Sequence, residues 1–432
     1  MWTSNDGGEW ETLVEEKNAR LCSPQMLPGG EAVIFVNTYR EPYKIMVHSL
    51  KSGKSKELRE GYSAKYIKTG HILFGAEDNL YAIPFDIDTL EFTGGRIPVV
   101  KGVSSSEYYY NYDISDSGTL VYIPPRAFDQ PIFVWVDREG KEEPLAATPK
   151  AYGDLRISPD SKRVATSYKD NGNKDIWIWD LAGENLTRTT DFEGDDSNPV
   201  WTPDSKQIIY YSIREGGIGI YRRAANSTGD IETLLFEEGH MFMPWSLSPD
   251  GKILLITDVS EGLLDADIGM VSLEGDRTKV MLLEDKYLAT QPQISPNGQW
   301  MAYTSNETGK DEVYVCAFPS VNELRKQVST NGGYSPLWSP DGKELYYRNG
   351  DTVIALPIKS GTGLEFEKPI ILFEGSYKNM SLWTVHNRLW DINRDDNRFL
   401  MLKNTAPESE NTSEIKIVLN WFEELKERVP VD

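Results

Sequence analysis

The chain has 432 residues, and its 67 Asp and Glu outnumber its 45 Lys and Arg, which gives a formal net charge of −22 at pH 7. This charge repels phosphate backbones and argues against a nucleic-acid partner. The apolar runs fall far short of the roughly 20 residues that cross a bilayer, so we expect no membrane span. The first residues contain neither a basic stretch nor an apolar segment, so we expect no signal peptide in this chain, and its localisation stays open.

Cysteine and aromatic content narrow the fold class. Two cysteines, Cys22 and Cys316, are too few for a disulfide framework, and their spacing matches no zinc pattern. Twelve Trp, 22 Tyr and 14 Phe supply large apolar side chains, while 35 Gly and 24 Pro supply turns. This mixture favours many short strands over long helices.

One short phrase recurs along the chain. It consists of an apolar residue, Ser or Thr, Pro, Asp or Asn, and Gly or Ser, followed by an apolar strand. Clear copies begin at Ile157, Trp201, Leu247, Ile294 and Trp338, and degenerate copies begin at Met26, Tyr66, Ile114 and Ile392. The mean spacing is about 46 residues, which is typical of a four-stranded propeller blade.

The phrase has the chemistry of a tight turn between two strands. Pro presets φ for the second turn position, Asp can accept a bond from the backbone two residues later, and Gly tolerates the left-handed conformation that ends the turn. Each copy therefore predicts a hairpin between the first and second strands of a blade.

The sequence predicts an all-β fold, a single closed β-propeller of four-stranded antiparallel blades spanning residues 1–432. We expect nine blades, with eight as the alternative. An N-terminal strand at about 11–15 would close the last blade, because closure removes unprotected edge strands, and a C-terminal helix would cover about 420–429. The predicted blades are 20–61, 62–102, 103–150, 151–194, 195–240, 241–288, 289–331, 332–376 and 377–419.

Several segments carry a family resemblance. They include His71-Ile72-Leu73-Phe74, the run Val134-Trp135-Val136-Asp137, Asp175-Ile176-Trp177 and the ending Leu419-Asn420-Trp421-Phe422. With these segments the chain resembles the TolB-type β-propeller that follows the kinase and membrane segments of many bacterial receptor-like serine/threonine kinases. The resemblance implies an extracytoplasmic sensing or binding module, with no shared catalytic residue and no cofactor. The chain has no Gly-rich loop, His-Arg-Asp or Asp-Phe-Gly segment, which excludes phosphoryl transfer by this chain.

The position of a residue in each repeat, counted from the turn Pro, indicates a candidate site. Two residues before Pro the side chain is usually large and apolar, whereas five residues before Pro it is mostly small or polar and should approach the mouth of the central channel. The candidate ligand-facing residues are Asn111, Asp154, Asn198, Gln291 and Ser335, with His386, Arg388 and Tyr110 beside them. Tyr110 belongs to a tyrosine-rich run, and such residues at a concave mouth can bind sugars or peptides. The alternative is a polar ring that only orders water, or aromatic packing for Tyr110.

Other chemical candidates have simpler explanations. The acidic run 191–196 lacks the alternating ligand pattern of a calcium loop and is expected to be a solvated turn. Cys316 lies in an apolar strand and is expected to be a buried small hydrophobe. We therefore expect no metal site and no cofactor.

Three functional hypotheses follow. The first is a non-catalytic binding or sensor propeller that recognises a small polar molecule, a glycan or a peptide at the channel mouth. The second is a propeller enzyme similar to a polysaccharide lyase, with His386, Arg388 and Tyr110 as its machinery. The third is a protein-interaction scaffold whose acidic surface docks a basic partner. In each case we expect a monomer.

Overall fold

The computed structural model describes most of the chain. The described residues are 12–15, 19–38, 43–105, 109–125, 131–148, 150–170, 173–214, 217–259, 266–284, 286–359, 364–378, 388–403 and 414–430. The chain divides into two compact units, residues 1–127 with 406–432, and residues 128–405.

The first unit contains three antiparallel sheets and one helix. Its first sheet has the strand order β1-β2-β3-β4, its second has the order β5-β6-β7-β8 with β9 also paired to β7, and its third has the order β10-β11-β36. The elements are β1 Leu21–Met26, β2 Ala32–Asn37, β3 Lys44–Ser49, β4 Lys54–Glu60, β5 Tyr62–Ile67, β6 His71–Ala76, β7 Asn79–Asp86, β8 Glu91–Phe92, β9 Ile97–Lys101, β10 Tyr112–Ile114, β11 Leu120–Tyr122, β36 Lys416–Val418 and α1 Trp421–Arg428.

The second unit contains six groups of four antiparallel strands. One group has the order β13-β12-β35-β34, and the other five follow chain order from β14 to β33, the second and third of them joined by a single parallel bridge between Ile218 and Met241. The strands are β12 Ile132–Val136, β13 Glu142–Pro144, β14 Leu155–Ile157, β15 Arg163–Asp170, β16 Asn173–Asp180, β17 Asn185–Arg188, β18 Asp196–Trp201, β19 Gln207–Arg214, β20 Gly217–Ala224, β21 Glu232–Leu235, β22 Met241–Leu247, β23 Ile253–Val259, β24 Ala266–Ser272, β25 Lys279–Leu283, β26 Ala289–Ile294, β27 Trp300–Ser305, β28 Glu312–Ala317, β29 Arg325–Gln327, β30 Tyr334–Trp338, β31 Glu344–Asn349, β32 Thr352–Pro357, β33 Ile370–Glu374, β34 Trp390–Ile392 and β35 Phe399–Lys403.

The repeated phrase forms the turn between the first and second strands of its sheet. In the copy at 247–251, the Ser248 hydroxyl donates to Asp250 Oδ1 at 2.5 Å, and Asp250 Oδ1 accepts from the backbone N–H of Lys252 at 3.1 Å. Gly251 takes φ +73°, the left-handed conformation that the turn requires. The Ser248 hydroxyl also accepts from the N–H of Ile253, so the serine links both ends of the turn.

Apolar side chains pack each sheet of the second unit against its neighbours. Six core clusters connect consecutive sheets, and the β12–β35 sheet shares one cluster with the β14–β17 sheet and another with the β30–β33 sheet. Phe399 lies in the cluster shared with the β30–β33 sheet. Its ring centroid is 5.6 Å from that of Trp390 and 5.1 Å from that of Tyr346. The sheets of this unit are thus linked mainly through buried side chains, since the described residues form no closed sheet.

The structure does not confirm that an N-terminal strand at about 11–15 closes the last blade. Residues 12–15 form no strand, and residue 11 lies outside the described residues. The last strands of the chain pair elsewhere. β35 pairs with β12 and β36 pairs with β11, so the backbone edges of β11 and β12 have hydrogen-bonding partners. The strands of predicted blades 103–150 and 377–419 are therefore shared between two sheets, and the predicted count of nine blades is not confirmed.

Helix α1 completes the core of the first unit. It lies within the range expected for the C-terminal helix, and Trp421, Leu425 and Val429 are buried in a cluster with Leu73 and Leu80. Among the described residues, no helix has both the length and the apolar character that a bilayer crossing requires.

We predict that Phe399→Ala lowers the free energy of unfolding by about 3–5 kcal/mol, because it removes a fully buried ring from the cluster shared by two sheets. Chemical denaturation followed by tryptophan fluorescence measures this change. The control is Ile371→Ala, because the Ile371 side chain is exposed on β33. Equal unfolding midpoints for the two variants would contradict the assigned packing.

Candidate functional site

The first strands of several sheets contain the same irregularity. In β18, β26 and β30 the pairing register shifts by a bulge, and the residues inside the bulge, Asn198, Gln291 and Ser335, have φ between 53° and 58°. These are three of the residues predicted to face a ligand. A bulge redirects side chains, and small or polar residues tolerate the left-handed conformation better than branched apolar ones, which explains the composition of this position.

Side chains at this position link neighbouring sheets. Asp154 Oδ2 accepts hydrogen bonds from the backbone N–H of Asn198 at 2.9 Å and from the hydroxyls of Ser197 and Ser167 at 2.6 and 2.9 Å. All four residues are buried. A carboxylate thus joins the β14–β17 sheet to the next sheet in the chain.

Gln291 forms the equivalent link three sheets further along the chain. Gln291 Oε1 accepts from the backbone N–H of Ser335 at 2.8 Å and from the Thr304 hydroxyl at 2.9 Å. In the first unit, the Ser63 hydroxyl accepts from the N–H of Tyr110 at 2.9 Å in the same manner. Three sheet junctions therefore use one solution, in which a polar side chain accepts from the backbone of the next sheet.

Asn198 cannot form the equivalent link, because its counterpart in the next sheet has no backbone N–H. The corresponding residue of the next sheet is Pro244, which has no N–H to donate. Among the described residues, the buried Nδ2 of Asn198 and the buried Oδ1 of Asp154 have no hydrogen-bond partner. One donor and one acceptor are therefore available beside the Asp154–Asn198 link.

Buried charged side chains form a cluster nearby in the repeat. Two of them lie at the position three residues before the turn Pro, or before its equivalent. Arg156 donates from Nη2 to the carbonyl of Trp245 at 2.7 Å, and Asp391 Oδ2 accepts from the N–H of Ile157 at 2.9 Å. Arg388 Nη1 lies 3.8 Å from Asp391 Oδ1. Burial raises the pKa of Asp391, and Arg156 opposes that shift, while burial lowers the pKa of Arg156.

Five of the eight predicted site residues lie in the described part of the second unit. The second unit contains Asp154, Asn198, Gln291, Ser335 and Arg388, and the structure joins the first two and the next two as pairs. Arg388 is buried beside Asp391 and donates to the carbonyl of Pro336 at 3.2 Å.

The other three predicted residues do not belong to the described part of the second unit. Asn111 and Tyr110 belong to the first unit, and His386 lies outside the described residues. Asn111 is exposed and donates to Ser104 Oγ at 3.0 Å. Tyr110 is buried, its hydroxyl accepts from the N–H of Asp78, and burial raises its pKa to about 12. The lyase-like combination of His386, Arg388 and Tyr110 stays a prediction.

Sequence reasoning missed Arg156 and Asp391. The sequence nevertheless contains a signal for them. In most copies the residue three positions before the turn Pro is polar or charged, although the next residue is large and apolar. These copies have Gln25, Lys65, Asp113, Arg156, Ser246, Gln293 and Asp391 at that position. A charged residue at a position that repeats beside the core indicates a buried partner.

A second buried carboxylate lies at the start of β18. Asp196 is fully buried, and burial raises its pKa to about 7, although the hydroxyls of Ser212 and Thr190 and the Arg214 guanidinium favour the charged form. Asp175 is buried nearby and raises the same pKa through its negative charge. Asp196 therefore titrates near neutrality in the folded protein.

His240 belongs to a separate ionic cluster before β22. Its Nδ1 lies 2.8 Å from Asp258 Oδ1, and its ring stacks on Phe242 with an interplanar angle of 8°. Lys279 bridges Asp258 and Glu237 at 3.0 and 2.7 Å. These contacts fix the segment before β22.

Nothing in the described part of the chain gathers three or more His, Cys, Asp or Glu side chains suited to hold a metal ion. Cys316 is fully buried, and burial raises the pKa of its thiol to about 12, so it stays protonated at neutral pH.

Comparison with known proteins supports the fold. Residues 114–317 match a family profile described as "TolB beta propeller domain". A Tol-Pal system protein TolB from Francisella tularensis subsp. holarctica is 30% identical over 195 residues, which cover 43% of this chain and 43% of that protein. The chain thus spans less than half the length of this curated relative.

One solved structure supports a similar fold over part of the chain. A putative TolB from Agrobacterium tumefaciens superimposes with a TM-score of 0.50 at 16% identity, covering 65% of this chain and all of the other. An oligogalacturonate lyase from Vibrio parahaemolyticus reaches a TM-score of 0.42 at 11% identity, covering 71% of this chain and 95% of the other. Residues 114–317 are thus similar to TolB-type β-propellers, and the described strands form propeller-like four-stranded antiparallel sheets. The link to the propellers of receptor-like kinases stays a prediction.

We predict that Asp154→Ala lowers the free energy of unfolding by about 2–3 kcal/mol, because it leaves the buried N–H of Asn198 without an acceptor. Denaturant titration measures this loss. Asn111→Ala is the control, since its side-chain bond is exposed, and it should change stability by less than about 0.5 kcal/mol. Similar losses in both variants would contradict the inter-sheet role of Asp154.

We predict that Asp196→Asn changes how stability depends on pH. The folded state retains the Asp196 proton up to about pH 7, whereas an unfolded Asp loses it near pH 4, so this group lowers stability as pH rises between those values. The variant should gain stability relative to wild type from about pH 4 to about pH 8, on the order of 3 kcal/mol.

Unfolding titrations at several pH values test this difference. Asp204→Asn is the control. It should change the pH dependence of stability in the opposite direction, because hydrogen bonds from Thr202 and Lys206 lower the pKa of Asp204. A stability difference between wild type and Asp196→Asn that stays constant with pH would refute the raised pKa.

Proposed function

We propose that residues 128–405 form a closed six-bladed propeller and that the chain is a non-catalytic module that binds a protein partner. Pairing of β12 with β35 supports closure, since it joins strands from the beginning and the end of this unit in one sheet. The Ile157 N–H bond to Asp391 and the Arg138–Glu344 ion pair at 2.6 Å link that sheet to the sheets on either side. Closure would remove exposed sheet edges between the first and last blades.

One observation supports the proposed mode of binding. The polar side chains predicted at the channel mouth of this unit are buried and bonded from sheet to sheet, as Asp154 and Gln291 show. Such groups are unavailable to a macromolecule, so we propose that recognition uses the exposed surface. That surface belongs to a chain with a net charge of −22, which favours a basic partner.

The comparisons support a protein as partner. The matched relatives are named as Tol-Pal system proteins, and we extend a role in a protein system to this chain by analogy. The extracytoplasmic location and an association with a kinase, which the family resemblance implies, belong to the same proposal.

Selection from a displayed peptide library on the immobilised chain tests this function. We expect enriched sequences rich in Lys and Arg whose binding weakens at least about tenfold between about 50 and 500 mM NaCl. A scrambled version of each enriched peptide is the control for non-specific charge attraction. Absence of enrichment over the denatured chain, or equal binding of scrambled peptides, would refute the proposal.

A small polar ligand is the second candidate, and the Asp154–Asn198 junction favours it. The buried Oδ1 of Asp154 and Nδ2 of Asn198 offer an acceptor and a donor without partners among the described residues. A hydroxyl or amide compound could bond to both.

Thermal-shift screening of glycans and amides tests this candidate. Asn198→Gly should abolish a ligand-induced shift, because it removes Nδ2, keeps the backbone link to Asp154 and suits the φ of +53°. Ser335→Gly changes the equivalent residue of another sheet and should retain the shift. Retention of the shift in Asn198→Gly would place the ligand elsewhere.

A further inference from the structure

The sheet β10-β11-β36 has an open edge. It contains three described strands, whereas every other sheet of the structure contains at least four. β36 pairs with β11 along one side, through Leu120–Val418, Val121–Ile417 and Tyr122–Lys416. No described strand pairs with its other side, so β36 is an edge strand among the described residues.

An apolar stripe runs along β36 and includes the residue that precedes the strand and the residue that follows it. Ile415, Ile417 and Leu419 are 67%, 62% and 71% exposed, and their spacing of two residues puts them on one face. Leu419 and Ile415 are the two most exposed large apolar side chains among the described residues, and Ile417 is as exposed as Ile371. An exposed apolar stripe beside an unpaired edge is the feature through which strands associate.

Other outer strands are protected or lack a stripe. β4 (Lys54–Glu60) and β29 (Arg325–Gln327) are rich in charged residues, which disfavour association. On β33, Ile370 and Ile371 are exposed, but adjacent residues point to opposite faces and make no stripe. The open edge and the stripe coincide at β36.

We infer that β36 pairs antiparallel with β36 of a second copy of this chain. The strand is self-complementary, because a twofold axis at Ile417 places Ile415 opposite Leu419 and Ile417 opposite Ile417. In this register Lys416 lies opposite Val418, and all three apolar residues of each copy meet apolar residues of the other.

The charge of Lys416 and the length of the described segment favour this pairing register over the neighbouring registers. An axis at Lys416 would place two lysines directly opposite each other, which is repulsive. An axis at Ile415 would leave Leu419 opposite residue 411, which lies outside the described residues. Of these three axes, the one at Ile417 matches the whole stripe without opposing like charges.

The dimer should be weak and dependent on salt. A single strand pair buries far less than the roughly 1,600 Å² of a standard stable interface, so we expect a concentration-dependent equilibrium between monomer and dimer. Each copy carries a net charge of −22, so screening of this repulsion by salt should strengthen association. Docking of a basic partner strand at the same edge would show the opposite salt dependence.

Sedimentation velocity on the full chain tests the inference. We expect a dimer fraction that rises with protein concentration and rises again between about 50 and 500 mM NaCl. Ile417→Lys should weaken association at least about tenfold, because it places two charges at the centre of the strand pair. Ile371→Lys is the matched control, since Ile371 is also 62% exposed on an outer strand, and it should dimerise like wild type.

Circular dichroism and thermal unfolding establish that both variants fold. A wild-type chain that stays monomeric at high concentration and high salt would overturn the inference. Dimerisation that survives Ile417→Lys, or that Ile371→Lys weakens equally, would also overturn it. An edge that instead binds an added Lys-rich peptide, with loss of that binding in Ile417→Lys, would replace the second copy by another occupant.

Discussion

Hydrogen bonds between the first strands of neighbouring sheets are the constraint on which this structure depends. Asp154 and Gln291 each accept from the backbone of the next sheet, and both acceptors are buried. A buried N–H without a partner costs free energy, so these side chains are required where the bulges expose backbone N–H groups between sheets. The apolar clusters supply burial, while these bonds specify how one sheet is placed against the next.

This role changes the meaning of the polar residues near the turns. From the sequence alone, a repeated polar position at the end of a strand resembles a ligand-binding ring. In the structure Asp154 and Gln291 connect sheets, and among the described residues Asp154 Oδ1 and Asn198 Nδ2 have no hydrogen-bond partner. Proline interrupts the pattern because it lacks an N–H. The exception to the repeat is therefore more informative about small-molecule binding than the repeat itself.

Much of the fold could be predicted because its signals are local. The Ser248 and Asp250 turn contacts depend on a few adjacent residues, and α1 depends on the spacing of Trp421, Leu425 and Val429. The site was less predictable, since Arg156 bonds to a carbonyl 89 residues away and Asp391 bonds to a backbone N–H 234 residues away. Sequence register identifies such positions but does not identify their partners.

The sequence by itself determined the all-β class, the repeating hairpin turns and the polar and apolar alternation of each first strand, because these depend on backbone preferences and spacing within one repeat. Only the tertiary structure decided which strands share a sheet at the chain ends. β11 and β12 both need a paired neighbour, and the distant β36 and β35 provide it. Strand pairing over hundreds of residues depends on which edges remain open after the local hairpins form, and that competition involves the whole chain.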